Sequence, residues 1–297
     1  MRDWLRSLPG RDQTRRRPAS IVPVTMDNVH RVRLSWYGDF SLRQLERHLE
    51  AHPGLAFMTE GGEAHIVGGY WRRRREIGSV LAISPGSYGP ALANRLIEAY
   101  RQQGAALVVA DYQVQPYIDL FISKGFEVIE TIVRYERSGC EVRLPTRDVA
   151  LRPYTPRDIE AVLKIERESF PWLWWNSREE LAWYSQLAGV EIWVLFDGAQ
   201  PIGYSGFTIT GRDGHLDRIA IRRDWQGKGY GAAILANSLR RMGALGVERV
   251  ALSTQSTNRV SQSMYRRFGF RRSHWSYDIH GLWLNGEAGG EAKEARA

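Results

Sequence analysis

The chain has 297 residues, of which 43% are hydrophobic and 25% charged, and its formal net charge is +8. This composition excludes a wholly disordered chain, and no apolar run reaches the length of a membrane-spanning helix, so we expect no membrane partner. Only four of the 41 basic residues are lysine, which indicates a coding bias and not a nucleic-acid partner. Cys140 is the one cysteine, which excludes an intrachain disulfide and a cysteine-rich zinc site; we expect no bound metal. The first twenty residues lack the apolar core of a secretion signal, which favours a cytoplasmic protein.

The predicted organisation is a flexible arm, two related domains with a linker between them, and a flexible tail. The boundaries that we expect are 1–20 for the Arg-rich arm, 21–138 for the first domain, 139–148 for the linker, 149–285 for the second domain and 286–297 for the tail. We expect a monomer or a homodimer.

This division depends on an internal repeat. Residues 88–104 read YGPALANRLIEAYRQQG and residues 230–246 read YGAAILANSLRRMGALG; both segments open with Tyr-Gly and close with Gly. Each is followed by a short apolar run and then by a helix that ends in Gly-Phe. The matching positions lie 142 residues apart at the first anchor and 144 at the last. An ordered set of anchors over some 40 residues indicates a duplication.

The elements of the second copy follow from alternation, helical periodicity and capping residues. Thr155-Pro156-Arg157-Asp158 predicts one helix start, and the capping box at Ser177–Glu180 predicts another. The predicted strands are 149–153, 191–197, 201–210, 215–222, 249–254 and 271–284, and the later helices are 231–245 and 259–268. This order predicts a mixed α/β sheet flanked by helices.

The strand that ends at 219–221 runs directly into the glycine-rich segment RRDWQGKGYGAAIL at 222–235. A strand that turns through glycines into a helix presents free backbone N–H groups and the positive end of the helix dipole. Such a loop can hold a pyrophosphate; the alternative is a tight glycine turn that only caps the helix.

The spacing is more specific than glycine content alone. Gln226-Gly227-Lys228-Gly229-Tyr230-Gly231 fits Arg/Gln-x-x-Gly-x-Gly/Ala and resembles the acyl-CoA signature of the GNAT N-acetyltransferase superfamily. Asn258-Arg259-Val260-Ser261 and the segment 264–270 (MYRRFGF) resemble a second block of that family. The resemblance covers about 149–280. It implies two tandem GNAT-like acyl-CoA N-acyltransferase domains, a layout similar to that of mycothiol synthases, with acetyl-CoA as co-substrate and direct attack of an amine.

The resemblance also implies which residues contact acetyl-CoA. The backbone N–H groups of the loop would hold the pyrophosphate, with Gln226 at its variable polar position. Ile219 and Ile221 would contact the thioester and pantetheine through their backbones, and the Ile219 N–H would polarise the thioester carbonyl. Asn258 would meet the pantetheine arm, or it is simply a helix N-cap. The implied set is Ile219, Ile221, Gln226, Gly227, Lys228, Gly229, Tyr230, Gly231 and Asn258.

For catalysis the family pattern implies that Tyr265 protonates the departing CoA thiolate; a buried structural tyrosine is the alternative. A base must also deprotonate the amine. His215 lies eleven residues before Gln226, where histone-acetylating relatives carry a glutamate at a similar spacing. Strand alternation predicts that His215, Asp217, Ile219 and Ile221 share a face. Asp217 either orients His215 or acts alone, and a surface histidine is the alternative.

The segment Phe170–Trp175 (FPWLWW) corresponds to one wall of the acceptor site in the family. The candidate acceptor-binding residues are Glu166, Phe170, Trp172 and Trp174, although the tryptophans could equally pack between domains. Ile165-Glu166 and Phe170-Pro171-Trp172 resemble N-terminal-alanine acetyltransferases of ribosomal proteins, but the glutamate that those enzymes carry after Leu252 is absent. We expect a small-molecule amine acceptor; the alternatives are protein N-terminal or lysine acetylation, and a non-catalytic acyl-CoA-binding module.

The first copy lacks several of these residues. Its segment 84–89 (SPGSYG) has lost the initial Gln/Arg and the middle glycine, Phe121 aligns with Tyr265, and Val114 aligns with Asn258. It resembles a degenerate GNAT domain that supports the active one. The run Arg72–Arg75 predicts either an acidic ligand or a solvated strand edge.

Overall fold

A computed structural model describes residues 20–33, 41–84, 86–142, 144 and 147–284. The predicted arm (except Ser20) and the predicted tail lie outside these residues. The chain forms two compact units: the first contains residues up to 68 together with 81–99, and the second contains 69–80 and everything from 100 onward. Within the described ranges, no helix is long and apolar enough to cross a bilayer.

The first unit is built on short antiparallel strands and one capped helix. Strands β1 (Ile21–Pro23), β2 (Ala56–Thr59) and β3 (His65–Tyr70) pair in that order. Helix α1 (Leu42–Ala51) begins at a capping box in which Ser41 and Gln44 satisfy each other's backbone N–H groups. Leu45 and Leu49 pack this helix against the strands. Helix α2 (Gly89–Gln102) starts in this unit.

The second unit holds most of the strands and the site. Its strands are β4 (Ile77–Ile83, which begins in this unit), β5 (Leu107–Ala110), β6 (Glu127–Ser138), β7 (Ala150–Pro153), β8 (Val190–Asp197), β9 (Gln200–Thr210), β10 (Asp213–Ile221), β11 (Arg249–Gln255) and β12 (Arg271–Trp283). Its helices are α3 (Gln115–Ser123), α4 (Ile159–Ser169), α5 (Arg178–Tyr184), α6 (Tyr230–Ala244) and α7 (Arg259–Arg267). The strands and helices predicted for the second copy are all present, and their ends lie within two residues of the predicted ones.

The strand order in this unit is β4-β5-β12-β6-β11-β10-β9-β8-β7. Strand β5 is parallel to β4, and β11 is parallel to β10, so the two copies repeat the same local pairing. The closing strands are exchanged: β12 of the second copy pairs with β5 of the first, and β6 of the first pairs with β11 of the second. The two closing strands also pair with each other.

Helix positions support the duplication. Helices α3 and α7 have nine residues each, and both their first and their last residues are 144 positions apart in the chain. The compact units do not divide at the predicted linker 139–148, because the exchange joins the end of the first copy to the second. The boundaries of the two copies remain a prediction about the repeat.

Helices cover both faces of the sheet formed by β7 to β11. On one face, Leu235, Leu239 and Met242 of α6 pack in a core with Phe207 and Leu216. On the other face the core is formed by α4, α5 and the inward side chains of β8 and β9, a cluster that includes Val162, Ile165, Leu181, Val194 and Tyr204. Mixed α/β layering therefore fixes β10 between two helical layers.

Candidate active site

The site is located where β10 and β11 separate. Their parallel pairing runs from Asp213–Arg249 to Leu216–Leu252, after which β10 continues along β9 alone and β11 along β6. Arg222 N donates to Ile202 O. Since hydrogen-bonded and non-hydrogen-bonded pairs alternate in an antiparallel ladder, the N–H groups of Ile219 and Ile221 point away from β9, into this gap.

A cavity of about 520 Å³ opens at the gap. This volume suits a small ligand. The predicted site residues among its lining are Phe170, Trp174, His215, Asp217, Ile219, Asn258 and Tyr265. Residues that the sequence places 95 positions apart thus share one cavity, which is the arrangement expected of an active site.

A β-bulge alters one prediction about β10. The pairing with β9 shifts between Leu216 and Arg218, so Asp217 is an extra residue in the strand. Leu216 and Ile219 pack against the α6 core, whereas Arg218 points toward Trp174 on the opposite face. The expectation that His215, Asp217, Ile219 and Ile221 share a face is therefore wrong, because the bulge moves Ile219 and Ile221 to the α6 side.

The bulge holds Asp217 against His215. His215 Nδ1 lies 2.7 Å from Asp217 Oδ1, and Asp217 Oδ2 accepts hydrogen bonds from Tyr184 (2.6 Å) and Thr208 (2.7 Å). The carboxylate is thus fixed by two hydroxyl donors. Burial and the neighbouring Asp217 raise the pKa of Tyr184, so this hydroxyl stays a donor. A carboxylate on Nδ1–H leaves Nε2 of the imidazole as the proton acceptor.

Tyr265 reaches the cavity from α7. The residue is 7% exposed, and its ring packs beside Tyr135 and Phe270. Burial raises the pKa of Tyr265 to about 12, and a hydrogen bond with Ser261 acts in the opposite direction. The hydroxyl therefore carries its proton at neutral pH, as a proton donor must.

The glycine loop follows β10 and begins α6. Gly227 and Gly229 have φ of 72° and 85°, in the left-handed region that favours glycine. A Cβ at Gly227 would meet no described atom within 4 Å, so the loop has open space beside it. The first N–H groups of an α-helix have no intrahelical acceptor. These features fit a pyrophosphate.

Several of the implied acyl-CoA contacts have structural partners of their own. The Gln226 Nε2 donates to Ile221 O at 2.8 Å, so this side chain closes the loop onto the end of β10. Ser169 Oγ donates to the same carbonyl at 2.9 Å. Asn258 Oδ1 accepts from Ser261 N at 3.1 Å and caps α7, while its side chain also lines the cavity. Asn258 can therefore cap α7 and also face a ligand in the cavity.

Arg147 is a candidate that sequence reasoning missed. Its guanidinium donates to Lys228 O at 3.0 Å and lies 3.9 Å from the centre of the Tyr230 ring. It is exposed and therefore adds a positive charge beside the glycine loop. No local signal marks it, because it precedes the loop by 80 residues and sits in the linker.

Glu166 lies behind the cavity wall instead of contacting its interior. The side chain is 1% exposed and accepts hydrogen bonds from Tyr204, from Asn176 N (2.6 Å) and from Asn176 Nδ2 (2.9 Å). Arg218 Nε lies 3.7 Å from Glu166 Oε1. These contacts indicate that Glu166 positions the residues of the cavity wall. The predicted role of Glu166 was a direct contact with the acceptor. Asn176 directly follows the apolar run 170–175 and Arg218 directly precedes the apolar run 219–221, and a polar residue at the end of an apolar run is the sequence signal that could have indicated this cluster.

The tryptophan segment has two roles. Phe170 and Trp174 line the cavity, and their predicted contact with the acceptor stays a prediction. Trp172 instead stacks on Trp283 with ring centres 6.0 Å apart, and Arg74 lies 4.7 Å from the centre of its ring. Trp172 is therefore a packing residue within the second unit, so the packing alternative describes it better than acceptor binding.

The run Arg72–Arg75 is not a solvated strand edge. Residues 71–73 form a 3-10 turn in which Arg72 and Arg73 have φ of 51° and 53°. Arg74 is buried and donates to Trp172 O, and Arg72 lines the cavity. Non-glycine residues in the left-handed region persist only where the surroundings hold them.

In the first copy, the positions that align with the site carry no matching chemistry. Val114 occupies the N-cap of α3 without a side-chain hydrogen bond, where Asn258 caps α7. Phe121 is buried in an aromatic cluster with Tyr112 and Phe126.

Comparison with known proteins shows which family the second half of the chain resembles. Residues 159–270 match the acetyltransferase (GNAT) family model. A mycothiol acetyltransferase from Pseudarthrobacter chlorophenolicus is 24% identical over 222 residues, which is 67% of this chain and 68% of that protein.

Solved structures share the fold over most of the chain. A GCN5-related N-acetyltransferase from Kribbella flavida has a TM-score of 0.65 and 16% identity, with 90% of this chain and 71% of that chain covered. One from Sphaerobacter thermophilus has a TM-score of 0.56 and 19% identity over 85% and 89%. A tandem GNAT protein from the clavulanic acid biosynthesis pathway has a TM-score of 0.55 and 13% identity over 91% and 99%. The mixed α/β fold is thus that of tandem GNAT proteins.

Proposed function

Because residues 159–270 form a GNAT acetyltransferase domain, we propose that this chain transfers an acetyl group from acetyl-CoA to the primary amine of a small molecule. One observation carries the proposal. The His215–Asp217 pair on β10 and the protonated Tyr265 on α7 line the same cavity, at the point where β10 and β11 separate. A base and an acid are therefore available in one cavity.

The residues can carry the proton movements of a direct transfer. The neutral amine attacks the thioester carbonyl carbon, a C–N bond forms and the C–S bond breaks. His215 Nε2 takes the proton that the amine loses, and Tyr265 donates one to the departing sulfur. The Ile219 N–H, which points into the gap, would polarise the carbonyl as the negative charge develops on its oxygen. The loop Gly227–Gly231, with Arg147 beside it, would hold the pyrophosphate of acetyl-CoA.

Two observations support a small acceptor over a protein. The cavity of about 520 Å³ is within the usual range for small-molecule sites. The similar protein from Pseudarthrobacter chlorophenolicus is a mycothiol acetyltransferase. Aromatic side chains at the wall, Phe170 and Trp174, favour an acceptor with an apolar portion.

The test is CoA release with acetyl-CoA and a panel of small amines, peptides with free N-termini and lysine peptides. We expect turnover with at least one small amine and none with the peptides above the rate of hydrolysis. Turnover only with peptides would contradict the proposal, and binding of acetyl-CoA without turnover of any amine would favour a regulatory module.

We also propose that the first copy is degenerate and that each chain binds one acetyl-CoA. Val114 and Phe121 at the aligned positions support this. Calorimetry with acetyl-CoA should give one site per chain, and two equivalent sites would contradict it.

A further inference from the structure

A cluster of arginines at the cavity carries one positive charge that the carboxylates of the same cluster do not balance. Arg72 and Arg218 both donate to one oxygen, Asn176 Oδ1, at 2.7 and 2.9 Å. Their guanidinium groups are therefore close together. Glu166 is the carboxylate shared by this pair, and it lies 3.7 Å from Arg218. One carboxylate thus faces two arginines.

Of the other charged groups at the cavity, Glu180 and Arg134 form ion pairs, whereas Asp217 is held by hydrogen-bond donors. Glu180 accepts from Arg73 at 3.1 Å, and Asp217 is held by His215, Tyr184 and Thr208. Arg134 pairs with Glu136 at 2.6 Å on the exposed side. Arg72, Arg73 and Arg218 thus face two carboxylates, Glu166 and Glu180, so this arginine cluster carries one excess positive charge. The negative charge of Asp217 is separate from the cluster, because its hydrogen-bond donors are neutral groups.

Arg72 is the member with unused hydrogen-bonding capacity. Its Nε is buried and has no hydrogen-bond partner among the described residues. Its guanidinium lies 5.3 Å from the centre of the Trp174 ring, on the cavity wall. Burial and Arg218 lower the pKa of Arg72 to about 9, so the group is still charged at neutral pH but poorly compensated.

The backbone of Arg72 has an unfavourable conformation in the left-handed region. Arg72 and Arg73 are the described non-glycine residues with positive φ. Strain of this kind is concentrated at ligand sites, where the surroundings enforce it.

We propose that the acceptor amine carries a carboxylate, which Arg72 binds in the cavity. A single carboxylate supplies the one negative charge that the arginine cluster lacks, and the planar guanidinium can donate to both of its oxygens. The inference rests on the proposed function, because it describes the substrate of the same cavity. The class is then an amino acid or a related amino carboxylate with an apolar portion against Trp174.

The first experiment measures binding without turnover. Calorimetry on the full chain compares benzoate with benzamide, which differ in the charged group. Wild type should bind benzoate and bind benzamide about 10- to 100-fold more weakly, the range for a hydrogen bond to a charged group. Equal binding of the two probes, or no binding of benzoate, would overturn the proposal.

The variants are chosen to separate the guanidinium from the backbone. Arg72→Asn removes the guanidinium while keeping a residue that tolerates the left-handed region. Arg72→Lys keeps the charge and should retain part of the benzoate affinity. Arg75→Gln is the matched control, since Arg75 is exposed in the same run. Benzoate binding should be lost in Arg72→Asn and retained in Arg75→Gln; equal effects in the two variants would overturn the proposal.

The second experiment uses turnover. CoA release with phenylalanine and with phenylalaninamide should favour the carboxylate in wild type, and Arg72→Asn should lower kcat/KM for phenylalanine about tenfold or more beyond any loss that it causes for the amide. A parallel loss for both acceptors would indicate a structural role and contradict the proposal. If benzoate binds through Arg72 but no amine is acetylated, the anion site stands and the proposed function fails.

Discussion

His215 and Tyr265 approach one cavity from different elements, and each is fixed by a different means. The imidazole is oriented by Asp217, which is itself held by Tyr184 and Thr208. The phenol is held by burial among aromatic rings. Because the base is held by hydrogen bonds and the acid by burial, mutations of His215 and of Tyr265 should change different measured quantities, and the two roles can be tested separately.

His215→Ala should lower kcat by about 10²–10⁴-fold at neutral pH, because the amine loses its general base. Activity should recover partly at higher pH, where more of the acceptor is already neutral. The measurement is kcat against pH with a small amine. His274→Ala is the control, because His274 is an exposed histidine on β12. An unchanged pH profile in His215→Ala would move the assignment to Asp217.

Tyr265→Phe should lower kcat by about 10²-fold or more while leaving the Kd for acetyl-CoA within about twofold, because the ring still packs and only the proton is lost. Since the pKa of Tyr265 is raised above its usual value, to about 12, its hydroxyl keeps the proton as pH rises. Wild-type kcat should therefore show no decline up to about pH 10 from loss of this proton. The measurements are steady-state kinetics and calorimetry.

Tyr135→Phe is the control for that variant, since it removes a neighbouring buried hydroxyl that bonds to Gln262. Full turnover in Tyr265→Phe would show that another group protonates the thiolate.

The sequence identifies individual residues that belong to a family motif, but it does not identify residues whose role depends only on what they contact in the fold. His215 and Tyr265 stand at family spacings, and both line the cavity. The sequence predicts that Glu166 contacts the acceptor, but a buried carboxylate needs hydrogen-bond donors, and Asn176 and Tyr204 supply them behind the cavity wall. Which buried polar residues meet is decided by tertiary packing, so no local pattern shows it.

At the scale of elements, the loop between β10 and α6 depends on backbone conformation. Gly229 is the N-cap residue of α6 in the left-handed region, and Gly246 follows the end of the same helix with φ of 83°. A side chain at either position would be forced into the left-handed region, so the backbone strain caused by substitution should be similar. Only Gly229 belongs to the loop assigned to acetyl-CoA. A substitution at Gly246 is therefore a matched control for the same substitution at Gly229.

Gly229→Asp and Gly246→Asp should both lower the free energy of unfolding by about 1–2 kcal/mol, because both force a side chain into the left-handed region. Only Gly229→Asp should weaken acetyl-CoA binding, by roughly tenfold or more, since its carboxylate would face the pyrophosphate. Thermal unfolding and calorimetry give the two quantities. Equal loss of affinity in both variants would mean that strain and not the loop's contact is responsible.

Elements were predictable where their signals are local. Ser177 caps α5 through Glu180 N, and Asn258 caps α7, as their residue types indicate. The bulge at Asp217 was not predictable, because period-two alternation continues through it in the sequence. It nevertheless decides the site, since it turns both Asp217 and Arg218 toward the α4–α5 face.

At the scale of the whole molecule, the internal repeat does not predict that the two copies exchange their closing strands. The internal repeat predicts two similar copies, and each copy read alone would close its own sheet. In the structure β6 pairs with all seven residues of β11, and β12 lies between β5 and β6. Strand partners far apart in the chain leave no mark on either sequence segment, because alternation identifies a strand and not its neighbour.

This exchange predicts that the second copy cannot stand alone. A truncated chain that begins at residue 139 would lack β6, and β11 would then present an unpaired edge next to the gap that forms the site. It would also lack β5, leaving β12 without either of its partners. We expect this chain to aggregate or to unfold without a cooperative thermal transition, and to release no CoA above background. Residues 20–138, expressed separately and mixed with it, should restore a cooperative transition by returning both strands. If the truncated chain alone unfolds cooperatively with a Tm within a few degrees of the full chain, the exchanged pairing does not hold the second copy together, and the copy is an independent domain.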